Sequence, residues 1–219
     1  MRFFLAIAIS TVSMMAPAGT TRPSASPATR PSSPNELVLK VARSVPDGGG
    51  YNTKWAGTGT PREIMFKGTR ILGKGTDGTY CCGFTFAVAM QAADELHLLD
   101  GKSVQQIKRF QKEWYGAVPE KDLQETQCTT AVEHLGIGKS INPDDAKPGD
   151  FMQLYRSKGG HSVIFLGWVE KDGKRIGFKY RSSQGSTKGI GDNTEYFSDT
   201  DLPKAAVDRK RIYFGRFNG

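Results

Sequence analysis

The chain has 219 residues, 37% hydrophobic and 24% charged, with 30 Lys plus Arg against 22 Asp plus Glu and a formal charge of +8. This length and apolar content exclude a disulfide miniprotein and a wholly disordered chain, and no apolar run reaches the ~18 residues that a membrane-spanning helix needs. The positive balance suits an anionic partner, whether nucleic acid, acidic lipid or a cell-wall polymer, without choosing among them.

Met1-Arg2, the apolar stretch Phe3 to Val12 and the small residues Ala16-Pro17-Ala18 have the pattern of a secretion signal. Cleavage is expected after Ala18, giving a secreted or periplasmic protein. Residues 19–34 are rich in Pro, Ser and Thr, carry nothing that builds a core and read as a linker, leaving 35–219 as one domain. In that domain, Asn35 to Ser44 carries Leu37, Val38 and Val41 at helical spacing behind Asn35 as the expected cap. The Gly/Thr-rich stretch Gly57 to Thr79 contains no phosphate-loop pattern, and Gly138-Lys139-Ser140 has Glu133 where the first glycine of one should stand. From Cys81, the residues Phe84, Val88, Ala92, Leu96 and Leu99 mark one helix face ending before Asp100-Gly101. Further helices are expected at Ser103 to Tyr115 and about Glu125 to Leu135. Beyond Pro148-Gly149-Asp150 the period changes to that of strands, at Phe151 to Tyr155, Ser162 to Val169, Arg175 to Ser182, Glu195 to Phe197 and Ile212 to Phe217. Helices followed by strands is the α+β order.

Only His97, His134 and His161 are present, with no metal-ligand spacing, so neither a metal nor an organic cofactor is expected. His97 and His134 lie inside helical patterns. His161 follows Gly159-Gly160 at the mouth of an apolar strand. An Asp172-Gly173 turn pairs residues whose numbers sum to 345, which sets His161 opposite Gln184 on the face bearing Val163, Phe165, Tyr180 and Phe178. The helix beginning at Cys81 is expected to pack on that face, with its N-terminus toward His161. Three cysteines in an exported chain close at most one disulfide. Cys81 and Cys82 are adjacent and do not readily bridge each other, so Cys128 pairs with one of them or stays free. A thiol at a helix N-terminus beside an imidazolium is a good nucleophile, and a Cys, a His and an amide form a nucleophile, base and orienter.

Thr79-Tyr80-Cys81-Cys82-Gly83-Phe84 resembles the D-C-S-G-F nucleophile motif of NlpC-like and CHAP-like papain-fold cysteine peptidases and amidases. Pro148-Gly149-Asp150-Phe151, followed by Gly160-His161-Ser162-Val163-Ile164-Phe165-Leu166-Gly167, resembles their P-G-D and G-H-V-G-I-Y-x-G segment. Tyr80 replaces the usual Asp, and Gln184 stands where His or Asn is commoner. The resemblance implies a papain-like α+β fold and amide-bond cleavage, often in bacterial cell-wall peptides. It implies Cys81 as nucleophile, His161 as general base and then acid, and Gln184 as orienter, with Tyr80, Gly160 and Ser183 on the substrate side. A nucleophile that must stay free leaves Cys82 to bridge Cys128. A monomer acting on peptidoglycan or another peptide is expected, with no nucleic-acid partner and no stable membrane insertion. The alternatives are an inactive cell-envelope binding module on the same fold and a nucleic-acid binder using Lys108-Arg109 and Arg209-Lys210-Arg211.

Overall fold

The computed structural model describes residues 33–219. The expected signal segment, its cleavage after Ala18 and the linker up to residue 32 lie outside the described residues. The first helix, α1 (Pro34–Ser44), starts one residue earlier than expected, and its cap is Ser33, whose Oγ accepts the Glu36 amide at 3.3 Å. Pro34 suits this start, since its missing N–H has no helical partner in the first turn. Asn35 is freed to donate to the Pro148 carbonyl at 2.9 Å and to Asp150 Oδ1 at 2.8 Å.

α2 (Cys81–Glu95) is buried almost all round, and α3 (Val104–Trp114) opens with the Ser103/Gln106 capping box. The single helix expected near residue 130 is two, α4 (Lys121–Thr126) and α5 (Cys128–His134), interrupted by Gln127 at φ +43°. β1 (Gly48–Gly49), β2 (Ile64–Phe66), β3 (Thr69–Leu72) and β4 (Gly138–Ile141) were not expected. β5 (Phe151–Arg156), β6 (Gly160–Lys171), β7 (Lys174–Gln184) and β9 (Val207–Phe217) fall where strands were expected, and β8 (Gly189–Tyr196) is longer and earlier than Glu195 to Phe197.

The architecture is α+β. β2 and β3 form a separate hairpin, and the other strands form one antiparallel sheet in the order β1-β8-β7-β6-β5-β9-β4. Its two faces bury different cores. α1, α2, α3 and α5 pack with Phe151, Ile164, Ile190 and Phe217 on one face. Met152, Leu154, Val163, Phe165, Phe178, Tyr180 and Phe214 form the core of the other. That second core is enclosed because the sheet curls. The Ser198 amide bonds the Val207 carbonyl at 2.9 Å and the Ala206 amide bonds Tyr196 at 3.1 Å, joining the end of β8 to the start of β9. Five strands thus wrap round one set of side chains.

This arrangement corrects the expected packing of α2. It lies on the Ile164 face, not on the Val163 and Phe165 face, because the latter is filled by the sheet itself. The hairpin register near the site is as expected: Ile164 pairs with Arg181 and Phe165 with Tyr180, each summing to 345. Two bulges closer to the turn shift the pairing by one and back again. No helix among the described residues is long and apolar enough to cross a membrane.

Candidate active site

The first turn of α2 is held from several sides. Tyr80 is extended and gives the helix no side-chain cap, so the N–H groups that begin every helix without intrahelical partners lie open there. The Tyr80 amide donates to the Gly59 carbonyl at 3.2 Å, and its hydroxyl reaches the Gly57 carbonyl at 2.8 Å. Thr79 Oγ1 and Ser183 Oγ are 2.7 Å apart, tying the residue before Tyr80 to β7. The loop crosses so close to α2 that a Cβ on Gly83 would stand 2.2 Å from the Gly59 carbonyl oxygen.

Cys81 thereby meets the first residues of β6 at the open end of the sheet. A cleft of about 210 Å³ is lined by Cys81, Gly160, His161, Gln184, Tyr51 and Trp55, with Arg156, Lys158, Tyr180 and Glu195 also on its wall. His161 is buried, its ring standing edge-on to Tyr180 at 5.5 Å. The Cys81 thiol is held well below the ordinary thiol range. A hydrogen bond from the Cys82 thiol, 3.7 Å away, is the largest influence, and burial opposes it; His161 adds a favourable charge and a hydrogen bond, and the Ser162 backbone adds another. The Cys82 thiol is pushed up correspondingly, by that same hydrogen bond and by burial. Two thiols in contact do not both ionise, and the proton stays on Cys82.

Behind the cleft runs a charged network. Arg156 Nε donates to Glu195 Oε2 at 2.6 Å, its second nitrogen reaches Glu195 Oε1, and the Tyr180 hydroxyl donates to that same oxygen at 2.6 Å. Burial acts to raise the Glu195 carboxyl, but Arg156, Tyr180 and the nearby His161 together hold it below the usual carboxylate range.

The expected site residues divide. Cys81, His161, Gly160 and Gln184 come together in the cleft, whereas Tyr80 and Ser183 do not line it. Their hydroxyls fasten the Tyr80 segment to a loop and to β7. Gln184 does not bond His161: its Nε2 donates to Thr187 Oγ1 at 2.7 Å and to the Gly191 carbonyl at 3.3 Å. Gln184 Oε1 and His161 Nε2 are both buried without a hydrogen-bond partner. The expected Cys82–Cys128 bridge is absent, and all three cysteines are free thiols. Cys82 Sγ instead lies 3.6 Å from Ser162 Oγ and 4.0 Å from Gln127 Oε1. His97 is exposed beside Asp100, and His134 bonds Glu113 at 3.2 Å, and neither lines the cleft.

Sequence reasoning missed four participants. Gln127 and Gln153 both accept from the Ser162 hydroxyl, at 3.4 and 2.6 Å, and so fix the group that Cys82 touches. Glu195 stands in an expected strand, but its place on the cleft wall follows from the pairing of β8 with β7, which was not foreseen. Trp55, 67% exposed at φ +51°, forms a flat wall whose indole N–H donates to the Tyr51 hydroxyl at 3.1 Å. A lone tryptophan in a Gly/Thr-rich stretch was the available signal. Compared with protein-family models, curated proteins and solved structures, the chain matches none.

Proposed function

We propose that this chain is a secreted cysteine hydrolase of papain-like type, similar to the NlpC-like and CHAP-like enzymes, that cleaves amide bonds in bacterial cell-wall peptides. The observation that carries the reading is a helix-start thiol lining one cleft with a buried imidazole, with its thiolate form favoured. Cys81 Sγ attacks the substrate carbonyl carbon after passing its proton to His161. His161 then protonates the departing amine, leaving a thioester on Cys81, and takes a proton from the water that hydrolyses it. The backbone N–H of Cys81 is the oxyanion donor, being one of the helix-start amides without an intrahelical partner. Gln184 serves as orienter: its Oε1 is unpartnered, as is His161 Nε2, and both residues line one cleft. Trp55 is the stacking wall for substrate.

The basic residues that suggested nucleic acid are largely neutralised, Arg109 by Glu113 and Glu120, Arg209 by Asp199 and Arg211 by Glu125. An inactive binding module keeps one observation in its favour, the missing Gln184 to His161 bond. Incubation with purified peptidoglycan separates the two. Release of free amino groups that stops when iodoacetamide blocks Cys81 is expected. Release that survives full alkylation of Cys81 overturns the nucleophile, and a Cys81 that does not alkylate at neutral pH favours the binding module.

A further inference from the structure

Cys82 has no part in the chemistry proposed above, yet its sulfur touches the nucleophile. Their Sγ atoms are 3.7 Å apart, both residues are only half-buried, and Cys81 opens onto the cleft. The third thiol, Cys128, is 1% exposed in the core between helices and sheet, and burial pushes it far above the ordinary thiol range. We propose that Cys81 and Cys82 form an oxidation site for small hydroperoxides, in which Cys82 resolves oxidised Cys81 by closing a bond between the neighbouring sulfurs. This rests on the Cys81 thiolate invoked above, though not on any hydrolytic activity.

In the first step the Cys81 thiolate attacks the O–O bond of a hydroperoxide. An S–O bond forms, the O–O bond breaks, the alkoxide leaves and picks up a proton from solvent, and Cys81 becomes a sulfenic acid. Its sulfur has lost two electrons to the peroxide, which is reduced to an alcohol. In the second step the Cys82 sulfur attacks that sulfur, its proton joins the departing hydroxide, and water leaves as the disulfide forms. The division of labour matches the two thiols. Cys81 is the one held as thiolate, and Cys82 keeps the proton it later surrenders.

Closure requires the sulfurs to approach from 3.7 Å to about 2.05 Å. Consecutive Cα atoms lie about 3.8 Å apart, closer than the ~4.4–6.8 Å usual for disulfides, so the ring is strained. Strain makes the bond a poor permanent staple and an easily reduced one. The Cys81 and Cys82 amides are not part of the intrahelical ladder and Tyr80 supplies no side-chain cap, so these two residues can adjust without breaking a helical bond while Tyr80 and Gly83 stay held by the Gly59 loop. The product is a nucleophile masked reversibly, in place of one driven on to the irreversible sulfinic acid.

Peptide mapping of the full chain reads this directly. Trypsin leaves Cys81 and Cys82 together on the peptide 75–102 and Cys128 on the separate peptide 122–139. After hydrogen peroxide treatment, quenching and digestion without reductant, the 75–102 peptide should be lighter by two hydrogens, and dithiothreitol should restore it. In Cys82→Ser the same treatment should carry Cys81 on to the sulfinic acid, two oxygens heavier and not recovered in dithiothreitol. Peptides 75–102 and 122–139 joined to each other would overturn the proposal, as would irreversible oxidation of Cys81 in the unaltered chain. Thiols that stay reduced at a peroxide dose oxidising free glutathione would overturn it too. None of these masses depends on turnover, and iodoacetamide labelling of the reduced chain reports separately on the reactive thiol.

Discussion

At the level of single residues, the thiolate at Cys81 sets a pH dependence. The reacting species is the thiolate, so a lowered pKa moves the rise of alkylation rate to lower pH than the ~8.5 of a free thiol. Iodoacetamide labelling of Cys81, followed by mass spectrometry across pH, should show that displacement. In His161→Ala, which removes one of the groups that lower the thiol, the rise should move back toward the free-thiol value. Turnover should vanish in His161→Ala and stay near normal in His97→Ala, since His97 is exposed and remote from the cleft. Gln184→Ala should lose roughly ten- to hundredfold in kcat, the scale of one unpaired buried partner worth about 1–3 kcal/mol, and a rate equal to the unaltered chain would remove Gln184 as orienter. Trp55→Ala should raise KM by roughly three- to tenfold with kcat unchanged, as fits the ~0.5–1.5 kcal/mol of a stacking contact. Cys81 and His161 were legible because each stands at an element boundary marked by small residues. Gln127 was not, because its backbone at φ +43° carries no Gly, Asn or Pro to announce a break.

Among elements, α2 depends on how it meets the loop before it. Gly83→Ala pushes a methyl carbon into the Gly59 backbone, which no side-chain rotation relieves, and the clash falls two residues from Cys81, within the first turn of α2. The variant should lose at least the ~1–3 kcal/mol of an overpacked site, read as a lower denaturation midpoint, and should alkylate Cys81 more slowly as the first turn shifts. An unchanged midpoint would show that the loop moves aside freely. This contact belongs to the D-C-S-G-F resemblance only as a conserved-looking letter; its cause became visible when the 57–60 loop was in place. The hairpin tells a similar story. Its sum of 345 survived because two bulges cancel, and a period-two reading sees neither. Only the end of β8 was expected, because its first part, Gly189 to Asn193, has Ile190 as its one β-branched or aromatic residue.

Across the whole described domain, a buried carboxylate ties the first helix to the last strand. Asp150, fully buried, accepts from Arg216 Nε and a second Arg216 nitrogen, both at 2.7 Å, from Asn35 at 2.8 Å and from the Lys147 amide at 2.7 Å. It therefore links α1, the turn before β5 and the last strand. Asp150→Ala strands the Arg216 charge and should cost about 3–5 kcal/mol of stability, seen in chemical denaturation, with Asp150→Asn milder. The P-G-D motif thus owes its Asp to the framework. The two-core arrangement was half legible: the unbroken apolar run Val163-Ile164-Phe165, all three buried in the structure, signals a strand covered on both faces, although only one covering layer was foreseen.

The strand order leaves β1 and β4 at the margins of the sheet. β1 is a pair of glycines at φ +78° and +81°, and β4 is four residues long with an exposed lysine, Lys139, and its Ser140 amide already engaged by Glu133 at 2.7 Å. A second molecule seeking to extend the sheet by strand addition meets two residues in a backbone conformation unlike a strand on one side, and a short, charged, partly occupied ladder on the other. The strands β5, β6 and β7, which supply both cores, are kept to the interior of the order with a partner on each side.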